Sequence, residues 1–191
     1  MLKTKLLLGL LPVVLCSALS FSQMQSPPPS KTPGDAVNAI LSIAENEFTE
    51  AADAMPEDKY SFAPSNGEFK GVRTFAQQVK HVAAVNYVFG AAILGEKSPV
   101  EGDENGPDSV KSKAEIMKFL KDSFSYLHKA VGSITDKNQL EQVSLFGGAM
   151  KGAKLSVASF STAHPFDHYG QMVEYLRMNG IIPPASRPQQ Q

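Results

Sequence analysis

The chain has 191 residues, with 18 Lys and Arg against 19 Asp and Glu and a formal charge of −1. It is long enough to bury a core of its own and carries no electrostatic footprint for nucleic acid. One cysteine, Cys16, rules out a disulfide framework within the chain, and strand-type alternation is scarce.

The first residues read as a targeting segment. Lys3 and Lys5 form a short positive region, and Leu6 to Leu15 is an apolar run too short to span a bilayer. Small residues in Ser20-Phe21-Ser22 suit cleavage after Ser22; Leu15 before Cys16 is too bulky for the usual lipoprotein pattern. Residues 1–22 are therefore expected to be a signal peptide and the protein to be exported, periplasmic or secreted. Cleavage would remove Cys16, Lys3 and Lys5, leaving 16 of the 18 basic residues against 19 acidic ones, a net charge of −3. A mature chain without cysteine has no thiolate ligand and no thiol nucleophile, so a bound metal would be held by nitrogen and oxygen. Residues 23–32, with Pro27-Pro28-Pro29, read as a Pro-rich linker.

Four helical patterns follow. The first runs from about Gly34 to Ala54, with Val37, Ile40, Leu41, Ile43, Ala44 and Phe48 expected on the buried side, and Met55-Pro56 stops it. The second opens on Thr74-Phe75-Ala76-Gln77, a capping box, and continues to Leu94 before Gly95. From His81 onward it is apolar on most sides and belongs in the interior. A polar connection over Glu96–Val110 is long enough to cross the end of a bundle, so the second and third helices need not be antiparallel neighbours. Ser112-Lys113-Ala114-Glu115 caps the third helix, which continues to about Ile134 and buries Ile116, Phe119, Leu120, Leu127 and Val131. Thr135 to Ala153, with Gly147-Gly148 and Gly152, reads as a loop with at most one turn of helix. The fourth helix spans about Leu155 to Asn179, with Gly180 placed for a left-handed cap. The fold expected is all-α, a four-helix bundle over 33–182, followed by a disordered tail over 183–191.

His164-Pro165-Phe166-Asp167-His168 carries the chemistry. Histidines four apart share one face of a helix, and His81 sits on the inward row of the second helix with Gln78, Val85 and Val88. Three neutral imidazoles with an open fourth position can hold a metal ion that activates a small molecule. The alternative is three core histidines satisfied by hydrogen bonds. Pro165 lies inside the pattern and should kink the helix by freeing the carbonyl of Ser161. Pro165 also occupies the place where a zincin motif carries its glutamate, so that motif is absent; phosphate loops, nucleophile elbows and C-x-x-C pairs are absent too. His128, beside Lys129, is expected at the solvent rim and excluded as a ligand. Asp167 is either a solvated carboxylate or a partner for an imidazole N–H. Gln171 and Tyr175 follow on the inward side as groups that could orient water or substrate.

On three pieces the chain resembles the DinB-like superfamily: Thr74 to His81, His164-x-x-x-His168, and Tyr169-Gly170-Gln171 with Tyr175-Leu176-Arg177 after it. The ending Asn179-Gly180-Ile181-Ile182-Pro183-Pro184 is similar as well. The resemblance covers roughly Thr32 to Pro184. It implies an up-down-down-up bundle, a divalent metal (zinc, nickel or iron) on His81, His164 and His168, and a homodimer. Characterised members include thiol-dependent transferases and isomerases, but low-molecular-weight thiols are cytosolic reductants that an exported protein would rarely meet. The function expected is thus a metal-dependent hydrolase or group transferase acting on an unknown small-molecule substrate. The alternative is a non-catalytic metal- or partner-binding bundle. Neither nucleic-acid binding nor a stable membrane span is expected.

Overall fold

The computed structural model describes residues 29–100 and 104–188. The signal segment, Cys16, the start of the linker and the last three residues lie outside the described residues. Four long helices dominate: α1 (Pro33–Ala54), α2 (Phe75–Leu94), α3 (Lys113–Gly132) and α4 (Lys154–Met178).

Local sequence sets their ends. The Thr74 hydroxyl accepts from the Gln77 N–H while the Gln77 side chain accepts from the Thr74 N–H, and Ser112 and Glu115 repeat this reciprocal cap on α3. Thr32, read from sequence as the end of the linker, caps α1 with Asp35 in the same way. At the far end of α4, Gly180 adopts φ 72°, and the N–H groups of Gly180 and Ile181 close on the carbonyls of Arg177 and Leu176. This is the Schellman arrangement that a glycine permits at low steric cost.

Cross-helix contacts give the directions. The start of α1 meets the end of α3 (Gly34 N to Ile134 O, 3.2 Å), and Lys113 Nζ donates to the Met55 carbonyl at the opposite end. These two helices are antiparallel. The start of α1 approaches closely there, since a Cβ on Gly34 would lie 2.4 Å from the Val131 carbonyl oxygen. Tyr87 stacks with Phe119, Asn86 bonds Ser123, and Tyr126 reaches Glu96, so α2 and α3 run parallel. Gln78 meets Gln171 and Phe89 meets Phe160, so α2 and α4 are antiparallel. The bundle is therefore up-down-down-up, with α2 packed on α3 and α1 packed on α4. Because α2 and α3 are parallel, the connection after α2 returns along the bundle instead of crossing its end: Glu96 meets Tyr126 late in α3, and Pro107 meets Lys80 early in α2.

Phe48, Phe75, Phe89, Phe124, Leu41, Leu120, Leu127 and Met172 are fully buried in one core. Removing that much apolar surface from water is the main favourable term in folding. Two expectations for α1 need correction: Ile40 and Ile43 are each 53% exposed. The buried stripe runs through Leu41, Ala44, Phe48, Ala51 and Ala52, which repeat at helical spacing; Ile40 and Ile43 stand one position off it.

The segment 135–153 is more ordered than the loop read from sequence. It holds an antiparallel hairpin of β1 (Gln142–Leu145) and β2 (Met150–Ala153), with Leu145 opposite Met150. Gly147 and Gly148 turn the chain at positive φ, and Leu145 buries itself as the anchor. In the tail, Pro184–Ser186 forms a 3-10 turn against α1, and Pro183 is buried. No helix among the described residues is long and apolar enough to cross a membrane.

Candidate metal centre

Helices α2 and α4 bring His81, His164 and His168 together, and one nitrogen from each lies within 4.8 Å of the others. The ring centroids are 5.1 Å apart for His81 and His164, 4.8 Å for His81 and His168, and 4.6 Å for His164 and His168. Pro165 does not break the site: α4 continues through it, and both flanking histidines turn toward α2. The helix runs without a break from Lys154 to Met178.

Hydrogen bonds fix two of the rings. His81 Nδ1 lies 2.7 Å from the Glu104 carbonyl oxygen, and His168 Nδ1 lies 2.6 Å from Gln78 Oε1. Both partners only accept, so both Nδ1 atoms carry the proton and, in the neutral ring, both Nε2 atoms are unprotonated acceptors. His81 Nε2 stands 3.2 Å from His164 Nε2. Two imidazole nitrogens on one tetrahedral ion, each about 2.0–2.1 Å from it, would be about 3.4 Å apart, so this edge already has the right length. His164 Nδ1 is buried without a hydrogen-bond partner. The residues fit a divalent cation.

Electrostatics point the same way. Burial is the largest cause in every ring: it lowers His81 below its ordinary value, takes His164 down to about 3 and takes His168 down to about 4. The positive charge of Arg73 adds to the depression of all three, as do the neighbouring imidazoles for His164 and His168. At neutral pH the rings are uncharged, the form a cation requires.

His128 lies elsewhere, and it is more than a rim residue. Its Nδ1 meets Asn38 Oδ1 and its Nε2 meets Glu45 Oε2, each at 2.9 Å, tying α3 to α1. Both nitrogens are committed, so neither is left as a ligand. Asp167 does not bond an imidazole directly. It ends a chain in which His168 donates to Gln78, Gln78 to Gln171, and Gln171 to Asp167. Gln171 is thus held in place beside the site. Tyr175 turns away from the histidines and donates to the Arg73 carbonyl at 3.0 Å.

Two contributors carried no assigned role in the sequence reading. Gln78 orients His168; its signal was a place three residues before His81 on the inward row. Arg73 precedes the α2 cap, and only the fold brings it near the rings. On the other side of the triad, Phe89 packs edge-on against both His164 and Phe160, an apolar wall.

The family model of the DinB superfamily matches residues 40–172, a span that contains the whole triad. The chain belongs to the DinB superfamily. Comparison with curated protein sequences finds no match. Two solved DinB-like proteins share the fold. One, from Bacillus cereus ATCC 10987, has a TM-score of 0.63 and 16% identity, over 78% of this chain and 95% of that one. The other, from Bacillus subtilis, has a TM-score of 0.58 and 18% identity, over 81% of this chain and 99% of that one. The DinB bundle thus extends over nearly the full length of both, while the identities speak for the fold alone.

Proposed function

We propose that this DinB bundle is a metal-dependent hydrolase or group transferase that holds zinc, nickel or iron(II) on His81, His164 and His168. The observation that carries the reading is the pair of anchored Nδ1 atoms, which leaves the Nε2 lone pairs of His81 and His168 turned over to a cation. A divalent ion bound there would supply Lewis acidity and a water of lowered pKa at its open position. The chain's own groups would do the rest. Gln78 and the Glu104 carbonyl hold the ring tautomers, Gln171 presents an amide beside the site, and Phe89 and Phe160 limit water on the His164 side.

The N-terminal pattern, with its two lysines and short apolar run, supports export of the mature protein. Exposed Ile40 and Ile43 on α1 support a homodimer; sedimentation of the mature chain beside a variant with both isoleucines changed to serine tests it.

The deciding experiment is metal content by elemental mass spectrometry on the mature protein, with four variants. About one divalent ion per chain is expected, lost in His81→Ala and His168→Ala. Gln78→Ala should weaken uptake by about 10–100-fold, the usual effect of removing a partner that orients a ligand. His128→Ala should leave uptake unchanged. A folded wild type that takes up none of the three metals overturns the reading. One observation favours a non-catalytic metal-binding alternative: among the described residues, no carboxylate bonds a triad ring directly. Turnover of any ester, amide or thiol-transfer substrate that is lost in His168→Ala would exclude that alternative.

A further inference from the structure

A cleft of about 430 Å³ adjoins the triad, and its lining includes Arg73, Gln77, Gln78, Asn105 and Gln171. Gln78 bonds His168, so the residue that orients this ring also forms part of the cleft wall. Arg73 sits immediately before the α2 cap, and its backbone is pinned by the Tyr175 hydroxyl. Its guanidinium is therefore presented from a rigid helix start.

The bonding of that guanidinium is half complete. A carboxylate can engage arginine side-on through Nε and Nη2 together. Here Nη2 donates to Glu104 Oε1 at 2.9 Å, while Nε is buried and has no partner. The Glu104 side chain is 55% exposed, and an exposed ion pair is only weakly stabilising because water and salt screen it, so it gives way easily. An unpaired buried N–H, by contrast, is a donor whose desolvation is uncompensated.

We propose that this cleft binds the carboxylate of a small polar substrate on Arg73, with the Glu104 side chain as its placeholder in the free protein. As a substrate subsite the proposal rests on the triad being the reactive centre. The amides of Gln78 and Gln171 then face the polar body of the molecule, and the metal-facing nitrogens lie beyond them. Glu104 has two separable roles: its carbonyl holds His81, and its carboxylate occupies Arg73.

The test titrates glycolate, and its uncharged twin glycolamide, into zinc-loaded and metal-free protein. The readout is the side-chain amide NMR signals of Gln78 and Gln171. Wild type is expected to bind glycolate about tenfold more tightly than glycolamide, in line with a charge-assisted pair. Arg73→Gln should abolish the preference. Glu104→Gln should strengthen glycolate binding several-fold by removing the internal competitor while leaving the backbone carbonyl in place. Opposite shifts in the two variants are not expected of merely structural residues. Equal binding of the two probes, binding of neither, or a preference that survives Arg73→Gln overturns the proposal. Zinc content of the same samples judges the metal reading separately, and the metal-free titration still decides the carboxylate subsite if zinc does not bind.

Discussion

At the scale of single residues, the site depends on three imidazoles kept neutral inside a protein. His164 and His168 have folded values of about 3 and 4, below the ordinary histidine value that they regain on unfolding. Well above about pH 6.5 both states hold these rings neutral, and there the two residues add no pH dependence. As pH falls from there toward the folded values, the unfolded chain binds more protons and stability is lost. Metal-free protein should therefore show a urea midpoint that drops steadily on acidification from about pH 7 to pH 4.5. In His164→Ala the drop should be shallower, because one such proton-binding site is gone. An identical slope in the variant would contradict the assigned burial effect. The spacing of His164 and His168 was legible in the sequence, as was the inward place of His81. The anchoring of His168 by Gln78 was not, because a glutamine on an apolar helix has many partners open to it until a second helix is placed opposite.

At the scale of elements, α4 is a ligand helix that tolerates a proline. Pro165 is buried, has no N–H to give the Ser161 carbonyl, and yet leaves the helix unbroken. Replacing proline by alanine inside a helix is worth about 3 kcal/mol in propensity. Against this stand about two lost methylene groups at about 0.8 kcal/mol each. Pro165→Ala should thus stabilise metal-free protein by about 1 kcal/mol in chemical denaturation. A clear loss of stability would mean that packing of the ring outweighs the backbone effect. The caps of α2 and α3 were readable because a capping box is a local, four-residue signal. The hairpin over 142–153 was not, because its strands are four residues long and show no clean alternation of buried and exposed positions.

For the molecule as a whole, folding and metal binding should be linked, since the ligands come from two helices that meet only in the native state. A ligand that binds only the folded form stabilises it by about 2.7 kcal/mol at one hundred times its dissociation constant. Zinc should therefore raise the thermal midpoint of the mature protein, and EDTA should reverse it. In His81→Ala neither addition should move the midpoint. An equal rise in wild type and His81→Ala would place the zinc somewhere other than the triad.

By itself the sequence determined the four helices, two of the three capping boxes, the apolar stripes of α2 and α3, and which histidines face inward. All of these follow from interactions between residues a few positions apart, where periodicity and capping chemistry act. The tertiary structure decided the rest. It placed Arg73 and the Glu104 carbonyl beside rings on α2 and α4, turned Tyr175 toward the backbone instead of the site, and left Ile40 and Ile43 in solvent. Those outcomes depend on which helix faces are apposed, and apposition is fixed by packing across the whole bundle, which no local pattern encodes.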